Sequence, residues 1–209
     1  TILLCCFVSM AYAQQTDKLK QKALILKRFL EKNHYKPLSW NDTVSIRLYN
    51  KWMELLDNEK LFFTKADIAV LEPFRMTLDE EMNAGLWQFF RKSVALYRNR
   101  LHRVDSIIKN VLAKPLDFSS NENMQFPFSA FAADDNELQQ RWKKYIKWQV
   151  LRIIADDNDS TLVSPSDFIA TEKKAVALQK NNEDKYIKRL LGNSPEDFEK
   201  ELQENYLNS

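Results

Sequence analysis

The sequence predicts an all-α fold: a multi-helix bundle with one long central helix and a Phe-rich connecting loop. Three observations carry that expectation. Only two of the 209 residues are glycine, Gly85 and Gly192, and they stand far apart. Apolar side chains recur at three- and four-residue steps over most of the chain, the period of one face of an α-helix. The stretches are punctuated by prolines and by Ser, Thr, Asp and Asn at positions suited to capping.

The scarcity of glycine also excludes chemistry. Phosphate-cradling loops, dinucleotide fingerprints and hydrolase nucleophile elbows need clustered glycines, because the backbone turns tightly or approaches a ligand closely there. Hairpin-rich β-sandwiches are disfavoured for the same reason. Charge adds little, since 31 basic against 29 acidic side chains leave a net +2. That balance offers no basic funnel for nucleic acid and no cationic face for a membrane surface.

The first thirteen residues differ from the rest. Thr1 to Ala13 carry no charge, run apolar through Ile2, Leu3, Leu4, Phe7 and Val8, and end in Ala11-Tyr12-Ala13 before Gln14. This is the small-x-small pattern of a secretory signal peptide, with cleavage expected between Ala13 and Gln14. The apolar run is too short to span a bilayer, which takes about 20 helical residues, so no stable membrane span is expected. No Met or basic segment precedes Thr1, so the sequence is expected to begin inside the signal. Both cysteines, Cys5 and Cys6, fall within it, which leaves residues 14–209 without a thiol. Disulfides, thiol catalysis and Cys-based zinc sites are therefore not expected in the mature domain.

The elements follow in order. Leu19, Ala23, Leu26, Phe29 and Leu30 make residues 16–33 an amphipathic helix, broken by Pro37. A second helix starts near Asp42, with Val44, Leu48, Trp52 and Leu55 as its stripe, and closes at Asp57-Asn58. Leu61-Phe62-Phe63 leads into a helix capped at Thr64. Thr77 and Glu80 have capping-box spacing and begin a short helix that stops near Gly85. The longest helix is expected over 86–113, on Phe90, Val94, Tyr97, Leu101, Val104, Ile108 and Val111, about 42 Å at the usual rise. Residues 114–134 lose the period but keep Phe118, Phe126, Phe128 and Phe131, a connection pinned over the bundle by aromatics. Residues 137–155 are helical on Leu138, Trp142, Tyr145, Ile146, Val150 and Ile153. Ser164-Pro165 and Ser194-Pro195 each place an N-cap before a first-turn proline, and Gly192 closes the helix between them. The last helix, 196–207, reaches Ser209 without a cap and reads as cut.

Candidate sites are few. Glu31 and His34 form one Glu-x-x-His step, but a di-iron bundle needs two, and the other histidine, His102, has no such partner. Asp156, Asn158, Ser160 and Asp167 imitate an EF-hand loop, yet Thr161 stands at the glycine position and Asp167 replaces the bidentate Glu. No metal and no cofactor is expected. The basic residues Arg91, Lys92, Arg98, Arg100 and Arg103, with Lys143, Lys144 and Lys147, read as solvated faces, and the five tryptophans read as core. No Ser, His and Asp set has a motif around it, so no catalytic residue is assigned.

The order of certain segments is informative. His34-Tyr35, then Leu55-Leu56-Asp57 with Phe62-Phe63-Thr64-Lys65-Ala66-Asp67-Ile68, then Leu78-Asp79, then Arg141-Trp142-Lys143-Lys144-Tyr145-Ile146-Lys147, resembles the N-terminal helical domain of tail-specific (carboxy-terminal processing) proteases, periplasmic serine peptidases. The resemblance covers nearly all of residues 20–205. It implies a parent enzyme that continues into a PDZ domain and a protease domain with a Ser/Lys dyad, neither of which this chain can hold, since no glycine follows Gly192. The implied partners are those two domains and polypeptide substrates, with an adaptor lipoprotein left open; the implied location is the periplasm. On this reading the chain is cut before the catalytic domains and scaffolds or gates them. The alternative is a free-standing secreted helical adaptor that binds proteins or peptides, and the uncapped last helix favours the first.

Overall fold

The computed structural model describes residues 21–25, 28–29, 32, 40–119, 122–157 and 165–209, apart from the side chains of 157 and 165–167. The signal segment with Ala13 and Gln14, the Glu31 and His34 step, and most of the EF-hand-like loop lie outside the described residues. Those that are described build an all-α fold. The elements are α1 (Asp42–Asp57), α2 (Lys65–Leu71) running into a 3-10 turn (Glu72–Phe74), α3 (Leu78–Ala84), α4 (Gln88–Leu112), α5 (Asp135–Asp157), α6 (Pro165–Leu191) and α7 (Pro195–Leu207). Residues 21–25 are also helical. Among the described residues there is no strand, only one isolated bridge between Thr64 and Ala132.

The chain folds as two compact units. One comprises the described residues up to Leu56 with Val70–Val94 and Glu199–Ser209; the other comprises Asp57–Ala69 and Ala95–Phe198.

The core of the first unit is aromatic. Trp52, Leu71 and Phe89 are wholly buried, and Tyr49, Phe90, Trp87 and Tyr206 nearly so. The Trp52 and Tyr206 rings meet edge-on at 5.0 Å, and Tyr49 and Phe89 lie 5.2 Å apart. The Trp52 Nε1–H donates to Ser93 Oγ at 2.8 Å, so the indole's one polar group is satisfied inside the core. The buried stripe of α1 is Ser45, Tyr49, Trp52, Met53 and Leu56, not the expected Val44, Leu48, Trp52 and Leu55. Leu55 is exposed and Val44 and Leu48 are only half-buried. The helix is turned because Ser45 faces inward to meet Asp79: its hydroxyl donates to Oδ1 at 2.6 Å and accepts the Asp79 N–H at 2.9 Å.

That pair also replaces the expected capping box. Thr77 makes no side-chain cap bond, and Ser45 takes an orphan amide of α3 in its place. The far end of α3 is a Schellman closure. Gly85, at φ 66°, donates to Met82 O, and the Leu86 N–H donates to Glu81 O at 2.8 Å. Leu86 is spent on that closure, which is why α4 begins at Gln88 rather than at 86.

The second unit is built on the rest of α4 with α5 and α6. Leu101, Val104, Ile107, Ile108 and Leu112 form the buried side of α4, with Leu112 in the place expected for Val111. On α5 the stripe is Leu138, Trp142, Ile146, Val150 and Ile154, while Ile153 and Tyr145 are only half-buried. Gly192 adopts φ 67° and ends α6. Ser194 Oγ then accepts the Asp197 N–H at 3.0 Å, the N-cap its sequence predicts. Trp148 departs from the expectation of core tryptophans, being 40% exposed.

Candidate functional site

In the second unit two of the segments that stand out in the sequence, 57–68 and 141–147, converge on one polar network. At the end of α1 the chain turns at Asn58–Lys60, with Lys60 at φ 56°. The turn folds the next three amides back onto Asp57, whose carboxylate accepts Leu61, Phe62 and Phe63 N–H at 2.8, 3.0 and 2.8 Å. Burial pushes the Asp57 carboxyl up to about 6 even against those three donors. The turn delivers Phe62 and Phe63 onto Tyr97, at ring separations of 5.6 and 6.0 Å.

Next, Asp67 Oδ2 receives both the N–H and the hydroxyl of Thr64, at 2.7 and 2.8 Å, so the start of α2 is held by its own third residue. Asp67 also pairs with Arg100 of α4, Nε to Oδ2 at 2.7 Å. Arg100 reaches Asp135 at the start of α5 as well, and Arg103 Nε reaches the same carboxylate at 3.0 Å. Burial alone would raise Asp135, but the two guanidinium groups hold it below the usual carboxylate range. Arg100 is thus a tie between three helices rather than part of a solvated face.

The Arg-Trp-Lys segment closes the network. Arg141, 8% exposed, bonds to Glu137, donates Nη1 to the carbonyls of Ala130 and Lys60 at 2.7 and 3.2 Å, and lies 4.5 Å from the Phe128 ring centre. The Trp142 Nε1–H donates to Leu61 O at 2.6 Å, and Lys65 N–H donates to Ala132 O at 2.7 Å. Lys147, also buried, bonds Glu122 at 2.5 Å with Phe118 beside it. Phe126 packs on Tyr145 at 5.3 Å, and Phe118 on Phe168 at 6.0 Å. The Phe-rich connection is therefore pinned as its aromatics predict, by bonds that no periodicity reveals. Of the lysines expected on a solvated face, Lys143 is exposed and Lys144 half-buried, whereas Lys147 is inside.

What this network can do chemically is hold helices. Every polar head in it is engaged with a partner of the fold, and none is presented to a cavity beside a nucleophile. His102 is exposed on α4. One acidic cluster that sequence reasoning missed, because Asp42 is far in the chain from the adjacent Asp79 and Glu80, joins the three within 4.8 Å. Asp79 is already committed: burial would raise its carboxyl, but the Ser45 hydroxyl and nearby amides hold it below the usual range.

Two hollows of about 370 Å³ open in the second unit. One lies between α5 and α6, with Ile153, Ala175, Leu178 and the exposed Asp156 on its walls. The other lies between α4 and α6 and contains the buried Glu183. Among the described residues no helix is long and apolar enough to cross a membrane. A family model described as the tail specific protease N-terminal domain matches residues 26–209, the whole span in which this network is built, and the chain belongs to that family.

Proposed function

We propose that the chain is the non-catalytic helical N-terminal domain of a periplasmic carboxy-terminal processing serine protease, where it scaffolds or gates the PDZ and protease domains during proteolysis of exported proteins. The observation that carries this reading is the use to which its family-like segments are put. Asp57, Asp67, Arg141 and Trp142 all spend their polar groups on bonds that hold the helices of the second unit together. A surface of packed helices suits the holding of a second domain or an extended polypeptide.

The first test is the coding sequence downstream of Ser209. A glycine-rich PDZ segment followed by a Ser/Lys dyad is the expected result, and an immediate stop codon leaves the free-standing adaptor in its place. The second test is deletion of residues 26–209 from that parent enzyme, with cleavage of an unfolded exported substrate as the readout. Altered rate or altered substrate selection is expected; unchanged proteolysis removes the gating role. Export is tested by N-terminal sequencing of the protein recovered from the periplasm, which should begin at Gln14.

A further inference from the structure

The hollow between α4 and α6 has an unbalanced charge. Its lining combines Ile108 and Leu112, both buried, with Ala177 and a polar rim. Each rim carboxylate has a cation of its own: Asp105 pairs with Lys109 at 2.6 Å and Asp184 with Lys188 at 2.7 Å. Glu183 has none. Its side chain is in a residue only 6% exposed, and its one partner among the described residues is the Gln179 amide, Nε2 to Oε1 at 2.5 Å. A buried carboxylate with a neutral partner alone is costly, and a cavity beside it admits the missing counter-charge from outside.

The lining selects the kind of cation. A hard divalent ion needs about six or more oxygen ligands, and here the walls around Glu183 are largely hydrocarbon. An ammonium group on an apolar stem fits both parts, the stem lying along Ile108 and Leu112 and the head bonding to Glu183, as lysine side chains do at other interfaces. The volume of about 370 Å³ lies within the usual range of small-ligand pockets. We propose that this hollow is a binding site for an alkylammonium group, a primary amine on an apolar stem, with Glu183 as the counter-charge. The proposal is independent of the role assigned above.

Binding should depend on pH in a defined sense. Asp105 and Lys109 of α4 and Lys180 and Asp184 of its own helix share the hollow's lining with Glu183, and Tyr145 of α5 and Tyr186 lie within its electrostatic reach. Burial pushes its carboxyl up to about 7, against the lowering bond from Gln179. The ionised form that an amine needs is then mostly absent at pH 6 and mostly present at pH 8, so affinity should be about tenfold weaker at the lower pH.

The test uses the full chain, labelled with nitrogen-15 and titrated by NMR with n-butylammonium chloride, against sodium chloride as control. Saturable shifts are expected for the amides of 105–112 and 177–184, tighter at pH 8 than at pH 6. Glu183→Gln should abolish saturation. Ala177→Trp fills the hollow from an exposed position without touching the carboxyl, so it should block binding and keep the wild-type melting temperature, and it decides the matter if the Gln variant does not fold. Non-saturable shifts in the wild type, or wild-type affinity in either folded variant, would overturn the site. A blocked Ala-Lys-Ala peptide separates the sources: tighter binding than butylammonium assigns the site to lysines of polypeptides, weaker binding assigns it to free amines.

Discussion

Asp57 shows how one side chain can organise a turn. It accepts three consecutive amides that a helix end would otherwise leave unpaired. Asp57→Ala should strand them in a buried site and lower stability by about 3 kcal/mol in urea denaturation, with Asp57→Asn recovering part of the loss through its carbonyl oxygen. Glu183 gives the opposite lesson, a group the fold would rather keep neutral. Its folded-state value, about 7, lies well above that of an ordinary glutamate, so the native state holds its proton more tightly than the unfolded chain does. Stability from this group is fully present below about pH 4.5 and is lost as pH rises through 7. Asp57 shifts in the same direction but most of its loss falls below pH 6, so the larger part of a fall in melting temperature between pH 6 and 8 belongs to Glu183. Glu183→Gln should flatten that part of the profile; an unchanged slope would refute the assignment. Neither behaviour was legible in the sequence. Leu56-Asp57 marks a helix end, but which amides come back to the carboxylate depends on the turn through Lys60, and burial of Glu183 depends on which way α6 faces.

At the scale of elements, the glycine stops at Gly85 and Gly192 and the Ser194 cap were readable, the Thr77 capping box was not formed, and stripes were readable to within a residue. Gly192 and Ser194 stand where their chemistry demands. A Cβ at Gly192 would sit 3.3 Å from the Phe198 amide nitrogen on a backbone at φ 67°, a conformation that L-residues adopt at a cost. Gly192→Ala should therefore destabilise by about 1–2 kcal/mol, and Ser194→Ala by about 1 kcal/mol through loss of the cap, both measured by thermal melting. The stripe of α1 was misplaced because hydropathy cannot foresee that Ser45 would be drawn inward by Asp79 from an element 34 positions away. Arg100 and Lys147 were assigned to solvent for a related reason, since their carboxylate partners come from other segments. Arg100→Ala leaves Asp67 buried with its Thr64 bonds but without a cation, and should cost about 3 kcal/mol. Arg100→Lys should restore only part, because an ammonium cannot span Asp67 and Asp135 with a planar fork.

For the whole chain, glycine scarcity and helical period foretold the all-α class, and the ordered segments foretold the family that residues 26–209 match. The division into two compact units was not foretold, because each collects pieces distant in sequence, the first from three stretches and the second from two. Their indoles make those units distinguishable by light. Trp52 and Trp87 are sealed in the first unit, while Trp142 is sealed and Trp148 open in the second. Iodide should quench Trp148 strongly and the half-buried Trp40 in part, and spare the three sealed indoles. With Trp40, Trp52, Trp87 and Trp148 all replaced by Phe, Trp142 is the one fluorophore left, and its red shift times the release of its indole from the Leu61 carbonyl, so the second unit reports its own unfolding without any attached dye.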